Sequence, residues 1–298
     1  MKTAVTSAVD GRAEAGRATV KRRGRPGRAA RLRPAGRPAA PRTGATLLAH
    51  RLLCVAAALG LWQAVVALGV APPSALAAPS AVFPELVAVF PTAEFWADIG
   101  DTLRSWVTGL AISLAVAVPV GLALGASDLA YRMSRFTIDF LRTIPPVSLI
   151  PLSLLLYGAS ERMALILIVF GSVWPVLMQT MYGVHQVDPV ARDATRAYRL
   201  SRRDVIFALV LPSAAPFIAT GIRIAATMSL LLAIGAELIG GAPGIGRAIA
   251  LALESGDIPR MYAFVVVSAV LGVLLNLAMV TCERRLLGWH PSHRPRVL

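Results

Sequence analysis

Six apolar stretches, at about 46–70, 103–127, 136–157, 163–182, 213–238 and 262–282, leave this 298-residue chain few folds to choose from. Crossing the hydrocarbon core of a bilayer takes roughly 20 apolar residues, and each stretch meets or approaches that length. With no water in lipid to satisfy backbone amides, such segments bond their own backbone as helices. Pro119, Gly121, Gly125, Pro175 and Gly221 lie inside them, as spans allow when neighbouring helices satisfy the freed groups. Overall, 56% of residues are hydrophobic, 15% are charged and the mean hydropathy is +0.66, unlike any ordinary soluble domain. The expected fold is all-α, a polytopic bundle of six transmembrane helices over 46–288.

The formal charge of +14 matters by its location. Thirteen of the 30 Lys and Arg residues fall within 1–51. The next connection, 71–102, has none and carries Glu85, Glu94, Asp98 and Asp101. Basic residues return at Arg132, Arg135 and Arg142, thin to Arg162 alone after the third stretch, and return at Arg192, Arg196, Arg199, Arg202 and Arg203. Only Arg247 and Arg260 follow the fifth stretch, and Arg284, Arg285, Arg294 and Arg296 close the chain. Excess Lys and Arg mark cytoplasmic loops, so both termini, the loop 128–135 and the loop 183–212 are expected inside the cell. Residues 1–45, rich in Arg, Ala, Pro and Gly without apolar periodicity, are expected as a disordered basic tail. Residues 289–298 are expected as a short cytoplasmic tail. The charge of the N-terminal tail fits orientation and anionic lipid; nucleic acid is not an expected partner.

Several chemistries lack their residues. Lys2 and Lys21 are the only lysines, so no GxxxxGK[ST] loop exists to hold phosphates. Cys54 and Cys282 lie inside the first and last stretches, and the four histidines show no metal-ligand spacing, so neither a disulfide framework nor a metal site is expected. Arg104, Arg223 and Glu237, the ionisable candidates in the spans, fall at or near their ends, unlike the relay of an ion-coupled carrier. No selectivity filter or charged ring suggests a channel, the Pro-Pro of the third stretch has no partner in the second half to suggest the internal repeat of a secondary transporter, and no base beside a span serine suggests an intramembrane enzyme. Active transport by this chain would need another subunit to drive it.

The stretch 188–212 has the composition of a docking element. Asp188-Pro189 is a helix start, with Asp as N-cap and Pro at the first helical position. Ala191, Ala194, Ala197 and Tyr198 recur at helical spacing, with arginines between them. Ser201 opens a second short helix that leads to Leu211-Pro212. A small-residue face lets another surface approach closely; a solvated helix lying on anionic lipid is the plain alternative.

This segment resembles the cytoplasmic "EAA" loop of binding-protein-dependent ABC permeases. Asp193-Ala194-Thr195 stands at its Glu-Ala-Ala, Leu209 at its Ile and Leu211-Pro212 at its Leu-Pro, with the spacing kept. Arg199 stands where the pattern has Gly, which would let the chain turn between two short helices. Pro79-Ser80-Ala81-Val82, Leu141-Arg142-Thr143-Ile144-Pro145-Pro146, Val187-Asp188-Pro189, Gly221-Ile222-Arg223-Ile224-Ala225, Ala236-Glu237-Leu238 and Gly244-Ile245-Gly246 narrow the resemblance to permeases of nitrate, sulfonate and taurine importers.

The resemblance implies an importer of two permease copies, two cytoplasmic ATPase subunits that use ATP and Mg, and an external substrate-binding protein. This chain would hold no cofactor and catalyse nothing itself. It would be a multi-pass protein of the bacterial inner membrane. The resemblance makes Asp193, Ala194, Thr195, Ala197 and Arg199 the ATPase-coupling surface, Ser201 and Arg202 the turn, and Leu211 and Pro212 the lead into the fifth span. It puts Pro145, Pro146, Ser148, Ser229 and Glu237 on the translocation pathway. A secondary transporter or channel uncoupled from any ATPase is the alternative.

Overall fold

In the computed structural model, residues 44–70, 72 and 74–287 are described, and every regular element among them is helical. The chain separates into two units, Met1–Leu52 and Leu53–Leu298; the described part of the first is the opening of α1 (Gly44–Ala67). Residues 1–43 and 288–298, and with them nearly all of both expected tails, lie outside the described residues. Gly44 and Ala45, expected in the disordered tail, are helical.

After α1 come α2 (Pro79–Val89), α3 (Ala93–Gly125), α4 (Asp128–Leu141), a 3-10 turn at Pro146–Leu149, α5 (Ile150–Tyr157) and α6 (Glu161–His185). Then follow α7 (Pro189–Ala197), α8 (Arg202–Asp204), a π turn at Val205–Val210, α9 (Leu211–Gly240), α10 (Ile245–Glu254) and α11 (Ile258–Leu286). Among the described residues, four helical runs are long and apolar enough to cross a membrane: α3, α6, the run Arg202–Glu254 that contains α9, and α11.

The expected third span, 136–157, is not one helix. The pair Asp128–Leu141 and Pro146–Tyr157 is bent by 68° and makes a fifth span only if counted together. Leu-Arg-Thr-Ile-Pro-Pro supplies the reason: Pro145 and Pro146 have no N–H to donate, and a residue before proline is pushed out of helical conformation. In the first stretch, the apolar helical part Leu52–Ala67 is shorter than a full crossing. The connections are more structured than expected: α2 and the start of α3 fall within 71–102, and α10 lies between the fifth and sixth stretches.

The core is the packing of α6 between α3 and α9. Gly109, Ser113, Ala117, Gly121 and Gly125 recur every four residues along α3 and are all buried. This is the small-residue seam that lets membrane helices approach closely. A Cβ on Gly121 would lie 2.7 Å from Thr180 Cβ, and one on Gly125 2.8 Å from Val184 Cβ. Ser113 and Ser172 share a hydrogen bond of 2.6 Å across the seam. The indole of Trp106 donates to the carbonyl of Ala226 at 2.8 Å and ties α3 to α9.

Candidate functional site

Loop 183–212 begins where α6 ends at His185. Asp188 caps α7, its carboxylate accepting from Val190 N at 2.8 Å, and Pro189 follows at a position that needs no donor. Arg192 donates back to the carbonyl of Val184 at 3.1 Å, one of the last carbonyls of α6. The loop is therefore tied to the span before it. Thr195 donates to the carbonyl of Arg192 at 2.7 Å, and Arg196 pairs with Asp193 at 3.2 Å.

At the end of α7, Leu200 N donates to Thr195 O and Arg199 N to Arg196 O, both at 3.0 Å. That pair of bonds is a Schellman closure, whose turning residue sits in the left-handed region and is usually glycine. Here it is Arg199, at φ +51°, the only residue other than glycine with positive φ among the described residues. The chain thus makes the turn that the family pattern assigns to Gly, at a cost of about 1 kcal/mol in backbone strain. Ser201 then caps the next turn, accepting from Asp204 N at 3.2 Å and donating to the Asp204 carboxylate at 2.6 Å. Arg202 is exposed at its start. The π turn carries the chain to Leu211 and Pro212, both half-buried at the head of α9.

Val190, Ala194, Ala197 and Tyr198 form one exposed face of α7 at i, i+4, i+7 and i+8, with Asp193 exposed beside them. Ala191, Arg192 and Thr195 are half-buried on the side toward the body. The small-residue face expected from the sequence therefore loses Ala191 and gains Val190, because α7 docks through Arg192 and Thr195. Of the three residues at the Glu-Ala-Ala position, Asp193 and Ala194 point outward and Thr195 is partly covered.

The second feature is a cavity of about 470 Å³ between the 3-10 turn, α6 and α9, lined among others by Arg142, Pro146, Trp174, Gln179, Met228 and Leu231. Pro146 belongs to the set expected on the pathway. Pro145 and Ser148 are exposed next to it, and Ser148 donates to the carbonyl of Pro145 at 2.7 Å, which closes the 3-10 turn. Ser229 and Glu237 do not line this cavity. Ser229 is buried and donates to Ala225 O at 2.7 Å within its own helix. Sequence reasoning missed Arg142, Trp174 and Gln179 as lining residues; the one available signal was a charge and an amide set within apolar runs.

Glu237 is fully buried where α9, α3 and α10 meet. Its Oε2 accepts from the Thr102 hydroxyl and from Gly246 N, each at 2.9 Å, and Thr102 Oγ1 accepts from Ile245 N at 2.9 Å. A carboxylate set on the first amides of a helix satisfies donors that have no intrahelical partner. Gly244, at φ +140°, and Gly246 leave room for it: side chains there would run into the Glu237 carboxyl and the Ile234 carbonyl. Among the described residues, no group of three or more His, Cys, Asp or Glu could hold a metal.

The sequence profile of one family, binding-protein-dependent transport system inner membrane component, matches residues 117–288, which includes α4 through α11 and both features above. The chain belongs to that family. This ABC-importer permease is 28% identical to a probable ABC transporter permease of Brucella melitensis over 82% of its own length and 98% of that protein's. It is 29% identical to the taurine transport system permease TauC of Escherichia coli, covering 79% of this chain and 88% of that one. Against the nitrate import permease NrtB of Leptolyngbya laminosa it is 30% identical, over 61% and 65% of the two chains. Its fold matches that of the MetNI methionine ABC transporter solved in an inward-facing form. The TM-score is 0.56 at 17% identity, covering 64% of this permease and 95% of the solved chain.

Proposed function

We propose that two copies of this permease assemble with two cytoplasmic ATPase subunits and an external binding protein to import a small solute, with the copies facing each other across the cavity of Arg142, Pro146 and Gln179. The exposed face of α7 carries this reading. A helix tied to α6 by Arg192 and to α9 through the π turn, yet presenting Val190, Ala194, Ala197 and Tyr198 outward, is built to receive force from another protein. Asp193, Ala194, Ala197 and Tyr198 make the contact, Thr195 braces the helix from beneath, and Arg199, Ser201 and Arg202 hold the turn. Closure of the ATPase pair around ATP and Mg would push α7 and shift the bundle between inward- and outward-facing states. Hydrolysis belongs to those partners.

The distribution of arginines supports six crossings with both termini inside a bacterial inner membrane, the segment 142–157 that follows α4 and the helix α1 each contributing one. The polar groups of the cavity, the Gln179 amide and the Arg142 guanidinium that also pairs with Asp139 at 3.1 Å, suit a small solute with an anionic group. Relatives are named for taurine, nitrate and aliphatic sulfonates, solutes that each bear an anionic oxygen-rich group. Pro145, Pro146 and Ser148 shape the cavity's rim, whereas Ser229 and Glu237 support it from within the bundle.

Co-purification with the cognate ATPase subunit tests the reading. The parent should retain the ATPase, and Asp193→Arg combined with Ala194→Trp should lose it while still inserting and dimerising. A parent that never holds an ATPase would instead favour a secondary transporter or channel.

A further inference from the structure

The helix α4 carries Asp128, Arg132, Arg135 and Asp139 and is bent by 68° from the segment after it, yet it presents an uncovered apolar stripe. Leu129, Met133, Phe136 and Phe140 are 69, 70, 81 and 63% exposed. Their spacing of i, i+4, i+7 and i+11 puts them on one side. A different side packs on the body: Ile138 is buried in the main core cluster, and the Tyr131 ring stacks on His185 at a centroid distance of 4.8 Å. The remaining side is ionic, with Asp139 bridging Arg135 at 3.7 Å and Arg142 at 3.1 Å.

Arg142 also lines the cavity, which fixes the direction of the ionic side. At about 100° per residue the apolar stripe lies round the helix from Arg142, away from the cavity. A second copy that completed the pathway would meet the cavity side, so the stripe is left to lipid. Arg132 borders the stripe, and among the described residues no acidic side chain pairs with it. An unpaired guanidinium beside bulky apolar side chains suits an anionic headgroup above acyl chains.

We propose that α4 is an in-plane membrane helix, with Leu129, Met133, Phe136 and Phe140 seated among acyl chains and Arg132 on an anionic phospholipid headgroup. This goes beyond the transport reading and rests on it in one respect, that a second copy would cover the cavity side and leave the stripe free. It also gives lipid a hold on the coupling loop. Tyr131 and Asp128 grip His185, the last residue of α6, with His185 Nδ1 lying 3.6 Å from the Asp128 carboxylate. The seat of α4 thereby positions the base from which α7 projects.

The test uses the full chain with Cys54→Ala and Cys282→Ala, reconstituted in vesicles of phosphatidylcholine with or without phosphatidylglycerol. Nitroxides are placed singly at Leu129→Cys, Phe136→Cys and Arg135→Cys, and their collisions with oxygen and with a water-soluble nickel chelate are compared. Oxygen should dominate several-fold at 129 and 136, and the chelate should dominate at 135. Phosphatidylglycerol should raise the oxygen preference at 136, and Arg132→Gln should remove that rise. Chelate access at both 129 and 136 would overturn the proposal, as would spin–spin broadening at 136 from a second copy. An unchanged preference when phosphatidylglycerol is added would overturn the headgroup contact. Two labelled positions on the stripe keep the test decisive if one variant folds poorly.

Discussion

The two ends of α9 are built on opposite principles. Its last turn is locked: Glu237 is fully buried, binds Thr102 and Gly246, and is flanked by glycines that leave no slack. Its head is open: a π turn runs into Leu211 and Pro212, preceded by an exposed cap at Ser201 and a strained Arg199. A lever works this way. In the proposed coupling, one end is anchored to α3 and α10, and the other would follow α7 as a partner pushes it. Buried polar groups with few alternatives give rigidity, and exposed, locally bonded turns give compliance.

The largest effect should come from breaking the anchored end. Glu237→Ala strips the Thr102 hydroxyl and the Gly246 amide of their shared acceptor, and leaving buried donors unpaired costs about 2–3 kcal/mol. Thermal unfolding of the purified protein in detergent should show a clear drop, with Glu237→Gln losing less because its carbonyl still accepts. Equal losses for the two variants would mean that the carboxylate does not act through these bonds.

At the open end the sign reverses. Arg199→Gly should raise stability by about 1 kcal/mol by relieving the left-handed residue, whereas Arg199→Val should lower it by a similar amount or more. The same melting assay, set beside ATPase retention, tells whether strain at this turn serves coupling or only costs stability. The smallest change is expected from Ser201→Ala, which removes an exposed cap worth about 0.5–1 kcal/mol. A loss at Ser201 matching that at Glu237 would erase the contrast between the two ends.

Much of this was legible in the chain itself. The apolar runs announced α3, α6, α9 and α11 because a span needs no tertiary information to be apolar throughout. Asp188, Pro189 and Ser201 were readable as caps because caps act within one turn. The break in 136–157 was less legible, since Pro145-Pro146 reads equally as a helix start or as a bend, and only packing of Ile138 in the core and Pro146 on the cavity chose the bend. Arg199 shows the reverse: a substitution that should unsettle a turn is tolerated because Thr195 and Arg196 carbonyls close it. The cavity was the least visible feature. Arg142, Trp174, Gln179 and Met228 come from three separate segments, and no local pattern links them.

The sequence by itself determined an all-helical membrane chain, its charge asymmetry and the place of the loop 183–212, because hydropathy, capping and charge act over a few residues. Tertiary structure alone decided that Glu237 ties three helices together and stays out of the cavity, and that α7 turns Thr195 inward and Val190 outward. It also decided that α4 lies apart from α5 with its apolar stripe uncovered. Each of these depends on which helix faces which, and a neighbour that arrives from more than a hundred residues away, as Thr102 does for Glu237, leaves no mark on the local pattern.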